Sequence, residues 1–313
     1  VAHSRKFRFG VQVNGGGSGA EWTTLARRIE DLGYSTLFMP DHFDDTPLAP
    51  MVALSFAAAA TTTLRVGHLV LGNDYKHPAV VAKESATLDL LSDGRLELGL
   101  GAGWMLADYE QLGLPYDAPG VRIARLDEAL RVVKGCFADG PFSFAGDHYT
   151  ITGYDAQPAP VQRPHPPIVV GGGGPKVLRL AGREADIVGI NPNLRAGAIT
   201  ADAATDSLAD MTLQKLEWIR EGAGERFDDL ELQIRYFLAS ITDDARGFAE
   251  MLAPGFGVTA DEALGSAVAL VGSVDEVCNT LVQRREEWGV SYVVLGEDTF
   301  EAFAPVVARL AGT

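Results

Sequence analysis

The stretch DGRLELGLGAGW, residues 93–104, decides how the chain is read. Leu96, Leu98 and Leu100 alternate with Arg95, Glu97 and Gly99, the period-2 signal of a strand. Gly101-Ala102-Gly103 then removes side chains where that strand ends. Two readings of these glycines stand: a tight turn, or the close approach of something flat or bulky to the backbone. The pattern is G-x-G-x-G-W rather than G-x-G-x-x-G and lies well inside the chain, which argues against a dinucleotide fold.

Working outward, short apolar runs alternate with amphipathic stretches, the signature of parallel βα units. Strands are expected at 7–13, 35–39, 64–71, 95–100, 168–170, 187–190, 230–238 and 292–295. Helices are expected at 21–32, 50–61, 78–91, 121–137, 176–182, 205–221, 274–288 and 300–310. Eight strands each followed by a helix, with no compositional break, favour a closed (β/α)8 barrel over an open sheet, with residues 1–313 as one domain. Residues 142–149 read as a small hairpin before the fifth strand. Longer connections at 194–204 and 242–273 fall on the C-terminal face, where such loops shape substrate pockets.

Composition excludes several classes. Hydrophobic residues make up 47% and charged residues 22%, an ordinary globular balance with ample core material. A net charge of -16 argues against nucleic acid or an anionic membrane as partner and leaves a small-molecule substrate. Cys136 and Cys278 are too few for a disulfide framework and read as buried thiols. The first ten residues carry no apolar signal core, and the longest apolar run, 51–60, is too short to span a bilayer, so a cytoplasmic protein is expected. The histidines show no HExxH-like spacing, so no metal site is expected.

In a barrel, chemistry belongs at the C-terminal strand ends. Those positions hold Gln12, Asn14 and a glycine run; Pro40-Asp41-His42; His68 and Asn73; Gly101 to Trp104; Gly171 to Gly174; Asn191; and Glu297-Asp298. Histidine is the residue type that proton donation or acceptance near neutrality calls for, which makes His42 a candidate, although it equally suits a loop tie to Asp41. His68, inside an apolar strand, reads more readily as a hydrogen-bonded core residue than as a catalyst. Gly171-Gly172-Gly173-Gly174-Pro175-Lys176 exposes backbone N–H groups at a helix start and reads as a phosphate cradle, with Lys176 and Arg179 either adding charge to it or lying on the helix's solvated face.

Taken together, these residues make the chain resemble the bacterial luciferase-like superfamily, in its branch using the deazaflavin coenzyme F420. The resemblance rests on PDHF at 40–43, HPAVVAKESATLDLLSDGRLELGLGAGW at 77–104 and PPIVVGGGGPKVLRLAGREAD at 166–186. It implies a luciferase-like (β/α)8 TIM barrel with the cofactor's ring at the C-terminal mouth and its phosphate at Gly172, Gly173 and Gly174, with Lys176 and Asn191 nearby. It implies His42 near the reactive carbon with Asp41 beside it, and Asn73, Ala102 and Gly103 bordering the ring. A non-prolyl cis peptide backing the ring would fall at His68-Leu69. Asn14, Trp104 and Glu297 would line the substrate pocket, and relatives are commonly homodimers.

The chain departs from the glucose-6-phosphate dehydrogenase branch, which carries a glutamate where Trp104 stands and a tryptophan where Thr46 stands, so sugar-phosphate activity is not implied. The implied function is hydride transfer between F420 and a small organic substrate, with His42 as proton donor or acceptor. A monooxygenase using reduced FMN on the same barrel is the alternative, and a non-catalytic flavin-binding protein a third reading. Lys76, Lys176 and Arg179 would offset the acidic surface toward an anionic cofactor tail.

Overall fold

The structure, a computed structural model, describes residues 5–43, 46–198 and 201–313. Its strands in chain order are β1 (Arg8–Gln12), β2 (Thr36–Met39), β3 (Arg65–His68), β4 (Leu71–Gly72), β5 (Leu96–Gly101), β6 (Phe142–Ala145), β7 (Thr150–Tyr154), β8 (Ile168–Gly172), β9 (Ile187–Ile190), β10 (Glu231–Arg235), β11 (Leu238–Ile241), β12 (Ala269–Gly272) and β13 (Val290–Gly296). β1, β2, β3 with β4, β5, β8, β9, β10 and β13 pair in parallel around a ring that closes through β1–β13 and β3–β5. The chain is a (β/α)8 barrel. β6 and β7 form the expected antiparallel hairpin.

Most expected elements are present, and the departures have local causes. The strand expected at 230–238 stops at Arg235, because Phe237 turns out to solvent and Leu238 opens the short parallel pair β11–β12. The helix expected at 205–221 is two, Ala201–Thr205 and Ala209–Ala223, since Leu208 adopts an extended conformation as the cap of the second. Residues 300–303, expected to be helical, are turns before the helix Ala304–Leu310. Helices Leu106–Leu112, Ala245–Phe256 and Ala260–Gly265 were not anticipated. Of the connection at 194–204, residues 199 and 200 lie outside the described residues.

The interior of the barrel is layered. At its N-terminal end Glu97 is fully buried between Arg8, Arg65 (2.8 Å) and the Tyr292 hydroxyl (2.9 Å), while Arg8 also reaches Glu231 at 2.8 Å. Burial pushes the Glu97 carboxyl up, but the two guanidinium groups outweigh it and hold the group below its ordinary value. Above this layer Phe38 packs with Val169, Ile187 and Val294. Gly10 and Gly67 flank the Phe38 ring, where added Cβ atoms would lie 2.9 and 2.6 Å from it.

The third strand is interrupted. Gly67 faces Glu97 but Leu71 faces Leu100, so the β3–β4 side carries one residue more than β5. The cis peptide lies between Leu69 and Val70, one residue beyond the expected His68-Leu69, because the Leu69 N–H still bonds the Met39 carbonyl at 2.9 Å and stays in the ladder. The bulge explains two glycines of the 93–104 stretch. A Cβ on Gly99 would lie 1.9 Å from the His68 carbonyl oxygen, and one on Gly101 2.5 Å from Val70 Cγ2. What approaches this backbone is the neighbouring strand, so the close approach that the sequence leaves open is met at these two glycines by the bulge.

Replacing Gly99 by Ala should therefore destabilise the fold by about 3 kcal/mol, at the upper end of overpacking costs. Gly255→Ala, whose Cβ would meet nothing within 4 Å, should leave the urea midpoint nearly unchanged. Equal midpoints for the two variants would refute the steric account.

Candidate active site

His42 lies three residues beyond the end of β2, at the C-terminal mouth, and its side chain is about one fifth exposed. Its Nδ1 lies 2.7 Å from Asp108 Oδ2. Asp108 is fully buried and also accepts the Phe43 N–H at 3.0 Å and the Tyr75 hydroxyl at 3.0 Å. An ionised carboxylate only accepts, so this partner places the proton of a neutral His42 on Nδ1 and leaves Nε2 to take or give one. Trp104 packs edge-on against the imidazole with ring centroids 5.4 Å apart. The alternative reading of His42 as a tie to Asp41 is not what the fold builds: Asp41 accepts the Gly72 N–H at 3.1 Å, and burial pushes its carboxyl up.

Asp108 is held by a second layer. Its helix, Leu106–Leu112, also carries Tyr109, whose hydroxyl donates to Asp74 at 2.9 Å. The Arg122 guanidinium lies 4.0 Å over the Tyr116 ring, and Tyr116 donates to the Trp104 carbonyl at 2.8 Å. Gly103, at φ +73°, lets the chain turn beneath Tyr109, where a Cβ would come within 1.9 Å of the hydroxyl.

The other expected residues divide. Asn73 donates to the Tyr149 hydroxyl at 3.2 Å and ties the mouth to the hairpin. The Leu69 carbonyl accepts from Gln12 Nε2 at 3.1 Å. Ala102 follows the end of β5 and packs half-buried against the core. The Asn14 N–H donates to Glu297 at 3.2 Å, joining the loops after β1 and β13. His68 is fully buried with neither ring nitrogen partnered among the described residues, and strand alternation from the inward Gly67 turns its ring to the helix side, away from the mouth. Burial pushes its pKa down to about 3, so it is neutral.

Gly172 ends β8, Gly173 passes against the Pro192–Asn193 backbone, and Gly174 caps the helix Pro175–Glu184, whose N-terminus no side chain caps. The Asn191 N–H reaches across to the Gly172 carbonyl at 3.0 Å. Arg179 is paired with Glu221 at 2.6 Å and Lys76 with Glu84 at 2.8 Å. Lys176, exposed on the first turn, has no carboxylate partner among the described residues, so it alone of the three expected cations is free for a ligand.

The family model for luciferase-like monooxygenases matches residues 2–209. The chain belongs to this family. Over 257 residues this luciferase-like protein is 32% identical to an F420-dependent glucose-6-phosphate dehydrogenase of Nakamurella multipartita, covering 78% of the chain and 70% of that protein. Over 135 residues it is 35% identical to the FMNH2-dependent dimethylsulfone monooxygenase of Pseudomonas putida, spanning 43% of the chain but only 37% of that relative. In fold it matches the coenzyme F420-dependent tetrahydromethanopterin reductase of Methanopyrus kandleri with a TM-score of 0.76 at 20% identity, covering 98% and 99% of the two chains. No helix among the described residues is long and apolar enough to cross a membrane.

Sequence reading missed Asp108, Tyr75 and Tyr109. Leu106, Tyr109 and Leu112 at helical spacing before Gly113 mark the helix of Asp108 and Tyr109, while Tyr75 ends a separate short turn, Asn73–Tyr75; nothing local to Asp108 announces a partner 66 residues away. Asp108→Asn keeps the size and removes the charge, so the orientation of His42 should be lost. Expected are an activity at least tenfold lower and, by NMR, loss of a single Nδ1-protonated state of His42; an unchanged tautomer would overturn the assignment.

Proposed function

We propose that this chain transfers a hydride between coenzyme F420 and a small organic substrate, with His42 exchanging the accompanying proton. The observation that carries the reading is the buried Asp108 carboxylate fixing His42 Nδ1 at the mouth of a luciferase-like barrel. The residues present fit such a cofactor. Gly171, Gly189 and Gly296 leave the inner wall of the mouth without side chains, and Leu69 and Val70 stand half-buried beside it. Gly172, Gly173 and Gly174 with the uncapped helix after them offer N–H groups to a phosphate, with Lys176 adding charge. When bound, the deazaflavin supplies or accepts the hydride.

The chain's own residues do the rest. Asp108 keeps Nδ1 protonated, and Nε2 of His42 gives or takes the proton. Trp104 walls one side of the imidazole and narrows the pocket. Trp104 and Thr46 stand where the glucose-6-phosphate dehydrogenase branch has other residues, so a sugar phosphate is not the proposed substrate. The dimethylsulfone monooxygenase relative favours a second reading, monooxygenation with reduced FMN at the same mouth.

Fluorescence titration separates the two. Binding of F420 with hydride-transfer activity that falls at least a hundredfold in His42→Ala is the expected result, in line with general acid–base contributions of about 10²–10⁴. Tight FMN binding without F420 binding would replace the first reading by the second.

We further infer a homodimer through the helices Pro50–Ala60 and Pro78–Leu91. The first has no charged residue, yet exposes Val52 at 63% and Phe56 at 58%; the second exposes Leu91 at 77%. A helix apolar on all sides is stable when both faces are covered, and they follow β2 and β4 in succession around the ring, so a second copy would cover them together. Phe56→Glu with Leu91→Glu should convert a dimer to a monomer in light scattering. A monomeric parent chain would sink the inference.

A further inference from the structure

On β10, Glu231, Gln233 and Arg235 alternate toward the barrel axis. Glu231 is occupied by Arg8. Gln233 is 1% exposed, and its Nε2 has no hydrogen-bond partner among the described residues. Arg235 lies across Gly296, where a Cβ would come within 2.8 Å of Nη2. Its Nε donates to Gln12 Oε1 at 2.9 Å and its Nη1 to the Tyr236 carbonyl. Gln12 passes the link on to the Leu69 carbonyl, so one strap runs from β10 over β13 and β1 to the bulge.

This strap leaves Nη2 of Arg235 without a hydrogen-bond acceptor among the described residues; Asp298 Oδ1 stands beside it, 2.4 Å from the same Gly296 Cβ position, and raises the Arg235 pKa through space without an ion pair within 4 Å. Asn191 Nδ2 projects to the same side, 3.0 Å from where a Cβ on Gly171 would stand, with no side-chain hydrogen bond among the described residues. Burial lowers the Arg235 pKa to about 10 against the pull of Asp298 and Glu297, so the group is a desolvated cation at neutral pH. Three unmatched donors, one charged, thus border a recess walled by glycines. Gln233 Nε2, a buried donor left unmade, is costly on its own, and with the half-buried Arg235 and Asn191 donors beside it the recess fits an occupant that brings acceptors and negative charge.

Resting on the cofactor reading above, we propose that Arg235, with Gln233 and Asn191, grips the acceptor-bearing pyrimidinedione edge of the bound ring and favours its reduced, anionic form. A cation at that edge tunes the cofactor's electronics without touching the substrate. The shared chemistry is that of flavin and deazaflavin alike, so Arg235 governs redox poise rather than the choice between them.

The test compares affinities for oxidised and reduced F420, and for oxidised and reduced FMN, in the parent chain and in Arg235→Leu, Arg235→Lys and Gln12→Leu. Arg235→Leu should lose at least tenfold more affinity for the reduced than for the oxidised form, which lowers the two-electron potential of the bound cofactor by about 30 mV. Arg235→Lys should keep most of that preference. Gln12→Leu, which cuts the strap but spares the charge, should weaken both forms alike. Equal losses for both redox states in Arg235→Leu would reduce the residue to a structural strap and overturn the proposal while leaving the cofactor reading intact. A parent chain that binds neither cofactor would overturn both. Should Arg235→Leu not fold, Arg235→Gln, which keeps a donor without charge, reads the same difference.

Discussion

One extra residue between Gly67 and Leu71 sets the shape of the mouth. A parallel barrel strand cannot absorb an insertion without lifting backbone out of the ladder, and the lifted segment here, His68 to Val70, presses on β5. Only glycine fits opposite, since any Cβ at position 99 would enter the His68 carbonyl. The bulge in turn presents the Leu69 carbonyl to Gln12 and thereby to Arg235, so the polar rim on the far side of the barrel is anchored on the same irregularity.

The interior follows a gradient that suits this arrangement. Charges at the N-terminal end are matched, with Glu97 between two guanidinium groups and a tyrosine hydroxyl. The aromatic plug at Phe38 separates that closed network from the mouth, where donors stand unmatched. Burying charges costs free energy unless each is paired, and the network around Glu97 meets that demand at the closed end of the barrel.

Much of this was legible in the chain, and the reason is local. The helices Pro78–Leu91 and Val274–Trp288 have readable bounds because a proline opens one and the Ser273–Glu276 capping box opens the other. The strand Ile187–Ile190 is a short apolar run between polar neighbours. His42 and the glycine run before Lys176 were visible as residue types at strand ends. What stayed hidden depends on distant pairing. The glycines at 99 and 101 signal a close approach, but only the bulge identifies the approaching atoms. Asp108 is one acidic residue among many until the fold brings it to His42, and Arg235 reads as the end of an ordinary strand until its neighbours prove to be Gln12 and Gly296.

The floor network has a kinetic meaning as well. Arg8 and Glu231 are 223 residues apart in the chain, and Glu97 and Tyr292 are 195 apart. Such contacts cannot form in a half-barrel, and their loop-closure entropy must be met before they contribute. They are therefore reporters of closure itself: βα units assemble through local contacts and Glu97 can meet Arg65 and Arg8 within the first five strands, while Tyr292 and the Arg8–Glu231 pair join only when the first and last strands meet. A chain stalled short of that step would expose strand edges at β1 and β13, making ring closure the interval in which this barrel is open to edge-to-edge aggregation.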